Sequence, residues 1–421
     1  MKRVAGLLRG EQRARIFLLT YLQSSLGTGA AAVALFVIAF DRWHSPWAIT
    51  AALLAYDLPP GVLGPLFGAL VDRVSRRWCV IAADLVRVAA FAGIAVVDSI
   101  EATVAFAALA GAATALYRPA ALAALPSLVE QEKLPAVTSV YGGMTDIGRT
   151  VGPALAAIGF PLVGGSGIMM INAGTFAVSA LVLSSLSFGQ SVAGDSAEAS
   201  SEDRSFLREV REGLRIATHG PLVGAVVIAS TGVIVFASML NVAELPLAHD
   251  LGAGASGFAL LLTAQGLGVV AGSLSGARRG GLREYKGRYV LGALAVAVGL
   301  VAMSATPWYA VALLAFVGFG VGNGLVVVHE RLIFQLAIPA RLMGRAFALL
   351  DALGAWGFVT AYLVAGVTVS GLGARGAIGI AAGGAVAVVL YALLALRRAP
   401  DPPAPDAAPA VAPARDVVGV D

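Results

Sequence analysis

The sequence predicts an all-α polytopic membrane protein, with twelve transmembrane helices in two pseudo-symmetric six-helix halves. Three observations carry that prediction. The 421 residues are 58% hydrophobic and only 13% charged, with a mean hydropathy of +0.84, whereas a soluble domain carries about 25% charged residues. Apolar runs long enough to cross a bilayer, about 20 residues each, recur along the whole chain. Finally, patterns in the first half return in the second at a nearly fixed offset. This balance excludes an ordinary cytosolic enzyme, a disordered chain and a nucleic-acid binder. One cysteine, Cys79, excludes a disulfide framework, and His44, His219, His249 and His329 make no metal-ligand spacing.

Taken in order, the apolar runs bounded by charge, Pro or Gly place the first six spans at 16–40, 47–71, 79–98, 102–128, 137–163 and 167–188. The second six fall at 221–248, 253–277, 288–306, 308–335, 346–370 and 374–396. The chain thus divides into an N-terminal half, 1–188, and a C-terminal half, 220–396. Between them 189–219 reads as a cytoplasmic linker. Its Leu207, Val210, Leu214 and Ala217 recur at helical spacing, which predicts a short amphipathic helix on the membrane surface. The Pro/Ala-rich 397–421 reads as a disordered cytoplasmic tail. Span 1 lacks a cleavage site and reads as a retained helix, not a signal peptide.

Orientation follows from arginine and lysine. Lys2, Arg3, Arg9, Arg13 and Arg15 precede span 1, Arg73, Arg76 and Arg77 follow span 2, and Arg278, Arg279, Arg283, Lys286 and Arg288 lie between spans 8 and 9. Arg341 and Arg345 lie between spans 10 and 11, and Arg397 and Arg398 follow span 12. The opposite loops hold only Arg42 and Arg375. Both termini are expected in the cytoplasm of a bacterial cell, with the chain in its inner membrane.

Two internal matches support the repeat. Gly64 and Gly68, with Ala-Leu-Val-Asp-Arg behind them, echo Gly268 and Gly272 ahead of Arg278 and Arg279; Asp146, Gly148 and Gly152 echo Asp351, Gly354 and Gly357. Gly64 and Gly68 sit one turn apart, a spacing that lets a neighbouring helix approach closely. Paired halves joined by a linker place a binding site at their interface near mid-membrane.

The string GPLFGALVDRVSRR at the 2–3 junction, residues 64–77, resembles the signature loop of the major facilitator superfamily. It is followed in order by Ala83-Asp84-Leu85-Val86-Arg87, Arg118-Pro119-Ala120, Leu125-Pro126-Ser127-Leu128, Gly152-Pro153-Ala154, Glu212-Gly213-Leu214-Arg215 and Gly344-Arg345-Ala346-Phe347. This set is similar to the twelve-span drug:proton antiporter branch that includes macrolide and siderophore exporters. The resemblance implies the major facilitator fold and alternating access. It also implies an inner-gate motif of Gly64, Gly68, Asp72, Arg73, Arg76 and Arg77, with Asp84, Arg87 and Arg345 around it. Ala156-Ala157 stands where the branch's antiporter motif has a Gly pair.

Charges inside spans mark function, since each costs about 2.5–3.5 kcal/mol at mid-helix on insertion scales. Asp57 and Asp146 fall nearest the bilayer centre and are the first candidates for proton coupling. Arg149, one turn after Asp146, is placed to pair with it, and Arg118 is placed to compete. Glu330 is the next candidate. Glu244, near the outer end of span 7, is expected to be solvated at the interface. Tyr21, Gln23, Asn241, Gln265 and Asn323 are the polar candidates for lining a substrate cavity.

The expected function is secondary transport: proton-coupled efflux of amphipathic small molecules, of multidrug or antibiotic type, by a monomer in the lipid bilayer. The energy source is the proton gradient, with no cofactor. No Gly-Lys-Ser/Thr phosphate loop is present for ATP hydrolysis. The alternatives are a dedicated exporter of one metabolite or siderophore and, from another class, a non-transporting sensor or membrane-embedded enzyme. The last two require a folded extramembrane domain or a catalytic cluster, and the sequence holds neither.

Overall fold

The computed structural model describes residues 11–186, 220–278, 280–338 and 340–399. Within them, nothing is said of the side chains of Pro65, Asp72, Ala277, Ala340, Arg341, Leu342, Gly344, Arg345, Ala348 and Asp351. The expected amphipathic helix in 189–219, and all of the tail beyond 399, lie outside the described residues.

Helices run the length of the described chain: α1 Gln12–Trp43, α2 Pro46–Arg73, α3 Arg76–Val96, α4 Ile100–Ala124 and α5 Leu134–Ser185. After 220 come α6 Pro221–Ser238, α7 Leu240–Asp250, α8 Gly254–Ser273, α9 Leu282–Ala305, α10 Tyr309–Ala337 and α11 Ala340–Arg398. Each of the twelve ranges expected from sequence is occupied by helix, with α6 and α7 abutting at Met239 within the seventh. Among the described residues, nine stretches are long and apolar enough to cross a membrane, and two of them, within α5 and α11, are long enough for two crossings. Such segments are helical because, without water, every backbone N–H and C=O must be satisfied within the segment itself.

The ends of the helices follow from local chemistry. Ser45 precedes Pro46 at the start of α2, and its hydroxyl accepts from the Trp47 amide at 3.3 Å. Ser99 does the same for Ala102 at 3.1 Å at the start of α4. A serine cap satisfies a donor that the helix leaves unpaired. His44 ends α1 in the left-handed region at φ 50°.

Two breaks reveal the internal symmetry more sharply than the repeated motifs do. Inside α5, Gly164 has φ 67° and ψ −179°; inside α11, Gly373 has φ 72° and ψ 175°. This conformation is essentially restricted to glycine. It turns the chain between two crossings without a loop, at equivalent points of the two halves.

Packing repeats likewise. The first arm of α5 lies against α1, α4 packs on α2 and α3, and α3 contacts α5; in the second half α11 lies against α6, α10 packs on α8 and α9, and α9 contacts α11. The halves meet through α5 on α8, α2 on α11, and α7 on α2. Small residues set the closest approaches. A methyl group on Gly29 would collide with the carbonyl of Gly148, and one on Gly148 with Ser25. In the second half, Gly268 and Gly272 of α8 meet the Val317 and Val321 carbonyls of α10 in the same way. Gly64 and Gly68 do not follow the expectation of a close helix neighbour: nothing stands within 4 Å of a methyl placed on either. The sequence echo between the pairs is therefore not an echo of packing in this arrangement, because α2 has no neighbour over that turn.

The glycine break gives a stability prediction. Gly373→Ala should cost about 1–3 kcal/mol from left-handed strain alone, since its surroundings are empty. Gly371→Ala, with equally empty surroundings and an ordinary helical φ, should be neutral or stabilising by up to about 1 kcal/mol. Thermal unfolding in one detergent, comparing the two variants, checks the contrast.

Candidate functional site

The residues that join the halves at depth are few and polar. Counted at about 1.5 Å per residue from Pro46 and back from Gly373, Asp57 on α2 and Tyr362 on α11 both lie about 17 Å in. The Tyr362 hydroxyl donates to Asp57 Oδ2 at 3.1 Å. Asn241 Nδ2 on α7 donates to the same hydroxyl at 3.3 Å. Thr50 Oγ1, two turns earlier on α2, donates to the Tyr362 carbonyl at 3.3 Å. The charge of Arg149 on α5 also acts on Asp57. One carboxylate of the first half is thus held by a hydroxyl of the second.

The gap between the halves has a direction. At the end opposite the arginines, His249 Nε2 lies 3.7 Å from Asp41, and the Phe40 and His249 rings are 5.2 Å apart. Phe36 and Phe258 face each other at 6.3 Å, and Gly366 lies beside Thr50 and Trp47. A methyl on Gly61 would stand 4.0 Å from Ala355, but one turn further, on Gly64 and then Gly68, it would meet nothing within 4 Å. Leu66 and Leu70 are exposed there. Asp57, at the inner limit of the contact, remains exposed beside its hydrogen bond. The halves are therefore closed at one end and parted toward the arginine-rich end.

Other expected site residues fall elsewhere. Asp146, Arg149 and Arg118 are all exposed, and no ion pair within 4.0 Å joins Asp146 to either arginine. The expected Asp146–Arg149 pair is absent, and Arg149 instead acts on Asp57. Glu330 is half-buried on α10 beside the fully buried His329 and acts on Tyr289. Glu244 corrects the sequence reading: it is 1% exposed, not solvated, because α7 is packed among α2, α6, α8 and α11. Its Oε2 has no hydrogen-bond partner among the described residues.

The signature-loop arginines bind helix ends. Arg76 donates to the Ala123 carbonyl at 2.9 Å, and Arg77 to the Ser184 carbonyl, at the C-termini of α4 and α5. A cation there complements the helix dipole. Arg73 is exposed. Asp72 and Arg345 are helical in backbone, but their side chains lie outside the described residues, and with them the expected latch contact. Close by, Lys133 Nζ lies 2.8 Å from both Glu11 and Glu130, which fastens the start of α1 to the α4–α5 connection. The hydrogen bonds it donates to the two carboxylates push Lys133 above the ordinary lysine range.

Asp84 and Arg87 lie within the first half and not at its interface. Asp84 is fully buried, pairs with Arg87, and accepts from Ser179 Oγ at 2.6 Å. The Arg87 guanidinium sits between the Tyr117 and Phe176 rings, at 4.0 and 4.1 Å from their centroids. This is a ring-clamped ion pair that ties α3 to α4 and α5. Tyr21 adds to the cluster: its ring stacks on Tyr141 at 4.1 Å, and its hydroxyl shares a hydrogen bond with Thr145 at 2.7 Å.

Of the other cavity candidates, only Asn241 joins the inter-half network. Gln23 lines a groove of about 360 Å³ with Gly27, Leu155, Asn172 and Thr175, on the flank of the first half. Gln265 is half-buried on α8 with Oε1 unpartnered, and Asn323 is half-buried on α10. Tyr362 was missed by sequence reading. Its only signal was a phenol inside an apolar run, and the run does not reveal a partner 305 positions away. Arg42 and Arg375 were noted only as exceptions to the charge rule. Arg42 donates to the Val97 carbonyl, and Arg375 to the Thr306 carbonyl. They cap α3 and α9, the equivalent helices of the two halves.

The buried pair yields a prediction. Arg87→Met should destabilise the protein by about 3–5 kcal/mol, because Asp84 is left charged and alone. Adding Asp84→Asn should recover much of that loss, and thermal unfolding of the single and double variants measures it.

The comparisons with known proteins agree with this arrangement. YfiS of Bacillus subtilis (strain 168), an uncharacterized transporter, is 22% identical over 81% of this chain and 83% of its own. Macrolide efflux protein A of Streptococcus pyogenes is 26% identical over 42% of this chain and 44% of its own. The multidrug efflux pump Tap of Mycolicibacterium fortuitum is 27% identical over 49% and 52%. Among solved structures, a bacterial homolog of the human lysosomal transporter Spinster, in an inward-facing and occupied conformation, superimposes with a TM-score of 0.70 at 11% identity, covering 91% of this chain and 96% of that one. The Major Facilitator Superfamily model matches residues 16–357. A multi-pass helical protein with paired halves, a polar contact between them at mid-depth and a gap on one side, the chain belongs to the major facilitator superfamily of membrane transporters.

Proposed function

We propose that this transporter is a proton-coupled exporter of amphipathic small molecules that works by alternating access, as a monomer in a bacterial inner membrane with both termini cytoplasmic. The observation that carries the reading is the Asp57–Tyr362 contact across the halves at mid-depth, at the point where the gap begins. The arginine-rich end faces the cytoplasm by the charge rule, so the gap admits a substrate from the inside. The names of the efflux relatives support the export direction and a drug-like substrate.

Coupling follows from the position of Asp57. Burial disfavours the charged form of a carboxyl, and a hydrogen bond or a nearby cation favours it. Asp57 is hydrogen-bonded to Tyr362 and feels Arg149 while the far end is closed. When the halves rock open at that end, the hydroxyl of the second half departs and the environment of the carboxylate changes. The two states then differ in proton affinity, which is what allows a gradient to shift their populations. Asp146, exposed and unpaired, is the second coupling candidate.

Four measurements check this reading. In liposomes with an imposed pH step, Asp57→Asn should abolish gradient-driven export and leave downhill exchange partly intact; an unchanged response removes Asp57 from coupling. A substrate panel in the same liposomes separates a broad exporter from one dedicated to a single metabolite or siderophore. Asp72→Asn should fold and cut transport several-fold if the carboxylate latches the inner gate, since a charge-assisted hydrogen bond contributes about 1.5–3 kcal/mol. Reporters fused after Gly189 and Arg398 should be active only in the cytoplasm.

A further inference from the structure

Glu244 is the one carboxylate among the described residues that is both 1% exposed and short of a hydrogen-bond partner. It sits on α7, one turn beyond Asn241, inside the closed end of the inter-half contact. The helices packed on α7 bring few titratable groups toward it. α11 supplies Tyr362, on which the charge of Glu244 acts and whose hydroxyl leads on to Asp57 of α2; Tyr56 of α2 faces α4 instead, toward Thr114. α6 and α8 carry no titratable side chain. No lysine or arginine compensates it. On its own helix His249 lies at the rim, 3.7 Å from Asp41 of α1, and Asp250 ends the helix.

An ionised carboxylate enclosed without partner or cation is disfavoured strongly enough that the group carries a proton or the enclosure opens. α6 and α7 meet at Met239, whose backbone stays right-handed helical at φ −58° and ψ −28°. Movement of this end of the seventh crossing away from α2 and α11 would admit water to Glu244.

We propose that Glu244 is a proton-binding site built into the gate at the end opposite the arginines, protonated when that gate is closed and deprotonated when it opens to water. Proton binding from the outside then drives closure, and the Tyr362 hydroxyl, held by Asn241 and bonded to Asp57, ties that closure to the carboxylate at the head of the gap. The assignment of this step to export rests on the proton-coupled reading above; the titration of the gate does not. His249 also favours closure when protonated, through Asp41, so the test is made in a His249→Asn background.

The experiment uses the full chain in nanodiscs, with Cys79 replaced by Ala and spin labels at Ser99→Cys and Trp308→Cys, which lie on the closed end of opposite halves. In the His249→Asn background the long-distance population should rise at least several-fold between pH 5 and pH 9. Adding Glu244→Gln should hold the closed distance at every pH, and Glu244→Asp should restore a pH-dependent opening with a displaced midpoint. Asp57→Asn should leave a pH-dependent opening. Thermal unfolding confirms that each variant is folded. A Glu244→Gln protein that still opens with rising pH overturns the proposal, and so does a parent protein with no pH-dependent opening. Liposome transport keeps the two readings apart. If export follows a pH step but Glu244→Gln leaves the gate's titration unchanged, the site assignment fails and proton coupling stands. If the gate titrates through Glu244 but export ignores the step, coupling fails and the site stands.

Discussion

Every polar group in this chain must be satisfied where there is no water, and the arrangement of the molecule follows from how that is done. The backbone is satisfied by helix formation along nearly the whole described length. The helix ends are satisfied by side chains: serines at the starts of α2 and α4, and arginines at the ends of α3, α4, α5 and α9. The buried ionic groups of the first half satisfy each other, with Asp84 and Arg87 clamped between two aromatic rings. A few buried atoms within the halves, such as Arg87 Nε, Thr103 Oγ1 and His329 Nε2, have no partner among the described residues.

Between the halves, polar groups are satisfied in exchange. Asp57 obtains its hydrogen bond from Tyr362 of the other half, and Tyr362 obtains one from Asn241. The polar contact is small, and it lies within a buried apolar cluster that runs across both halves, with Ile49, Leu53, Leu245 and Ala365 in it. Its strength is of the order of one charge-assisted hydrogen bond, about 1.5–3 kcal/mol, which suits an interface that must break in each cycle. By contrast, α1 meets α5 and α8 meets α10 at glycines with no space for a methyl group, contacts that are costly to disturb.

The fold was legible in the sequence because lipid imposes a length and a composition on every crossing. The described parts of the twelve expected ranges are helical save for a residue or two at some ends, but two pairs of expected spans run as single long helices, α5 and α11, broken only at a glycine. The way two crossings join was not legible. Residues 164 and 373 are glycines among the 51 in this sequence, and only their φ and ψ set them apart. The site was legible in part. A carboxylate at mid-span is conspicuous, so Asp57 could be named, but its partner depends on the docking of two halves, which no local pattern encodes. Asp146 and Arg149 show the opposite failure. Their spacing permits a pair along one helix face, yet both side chains are exposed and make no ion pair with each other. For Glu244, nearness to a helix end suggested solvation, but depth along a helix does not determine burial when four other helices pack around it.

The signature loop shows how one motif serves both rigidity and motion. Arg76 and Arg77 fasten the start of α3 to the ends of α4 and α5, so these three helices move together at the arginine-rich end. A methyl on Gly64 or Gly68, just before them on α2, would meet nothing within 4 Å. A glycine pair over an empty space gives no packing energy in this arrangement and loses none if a helix arrives. The helix placed to arrive is α11, which already meets α2 at Gly61 through Ala355. If the contact between α2 and α11 rolls from Thr50 and Asp57 toward the arginine-rich end, it closes over Gly64 and Gly68 as it releases Tyr362. Closing one end and opening the other then become a single movement about a crossing near Gly61, with the polar contact at Asp57 exchanged for close helix packing one and two turns away.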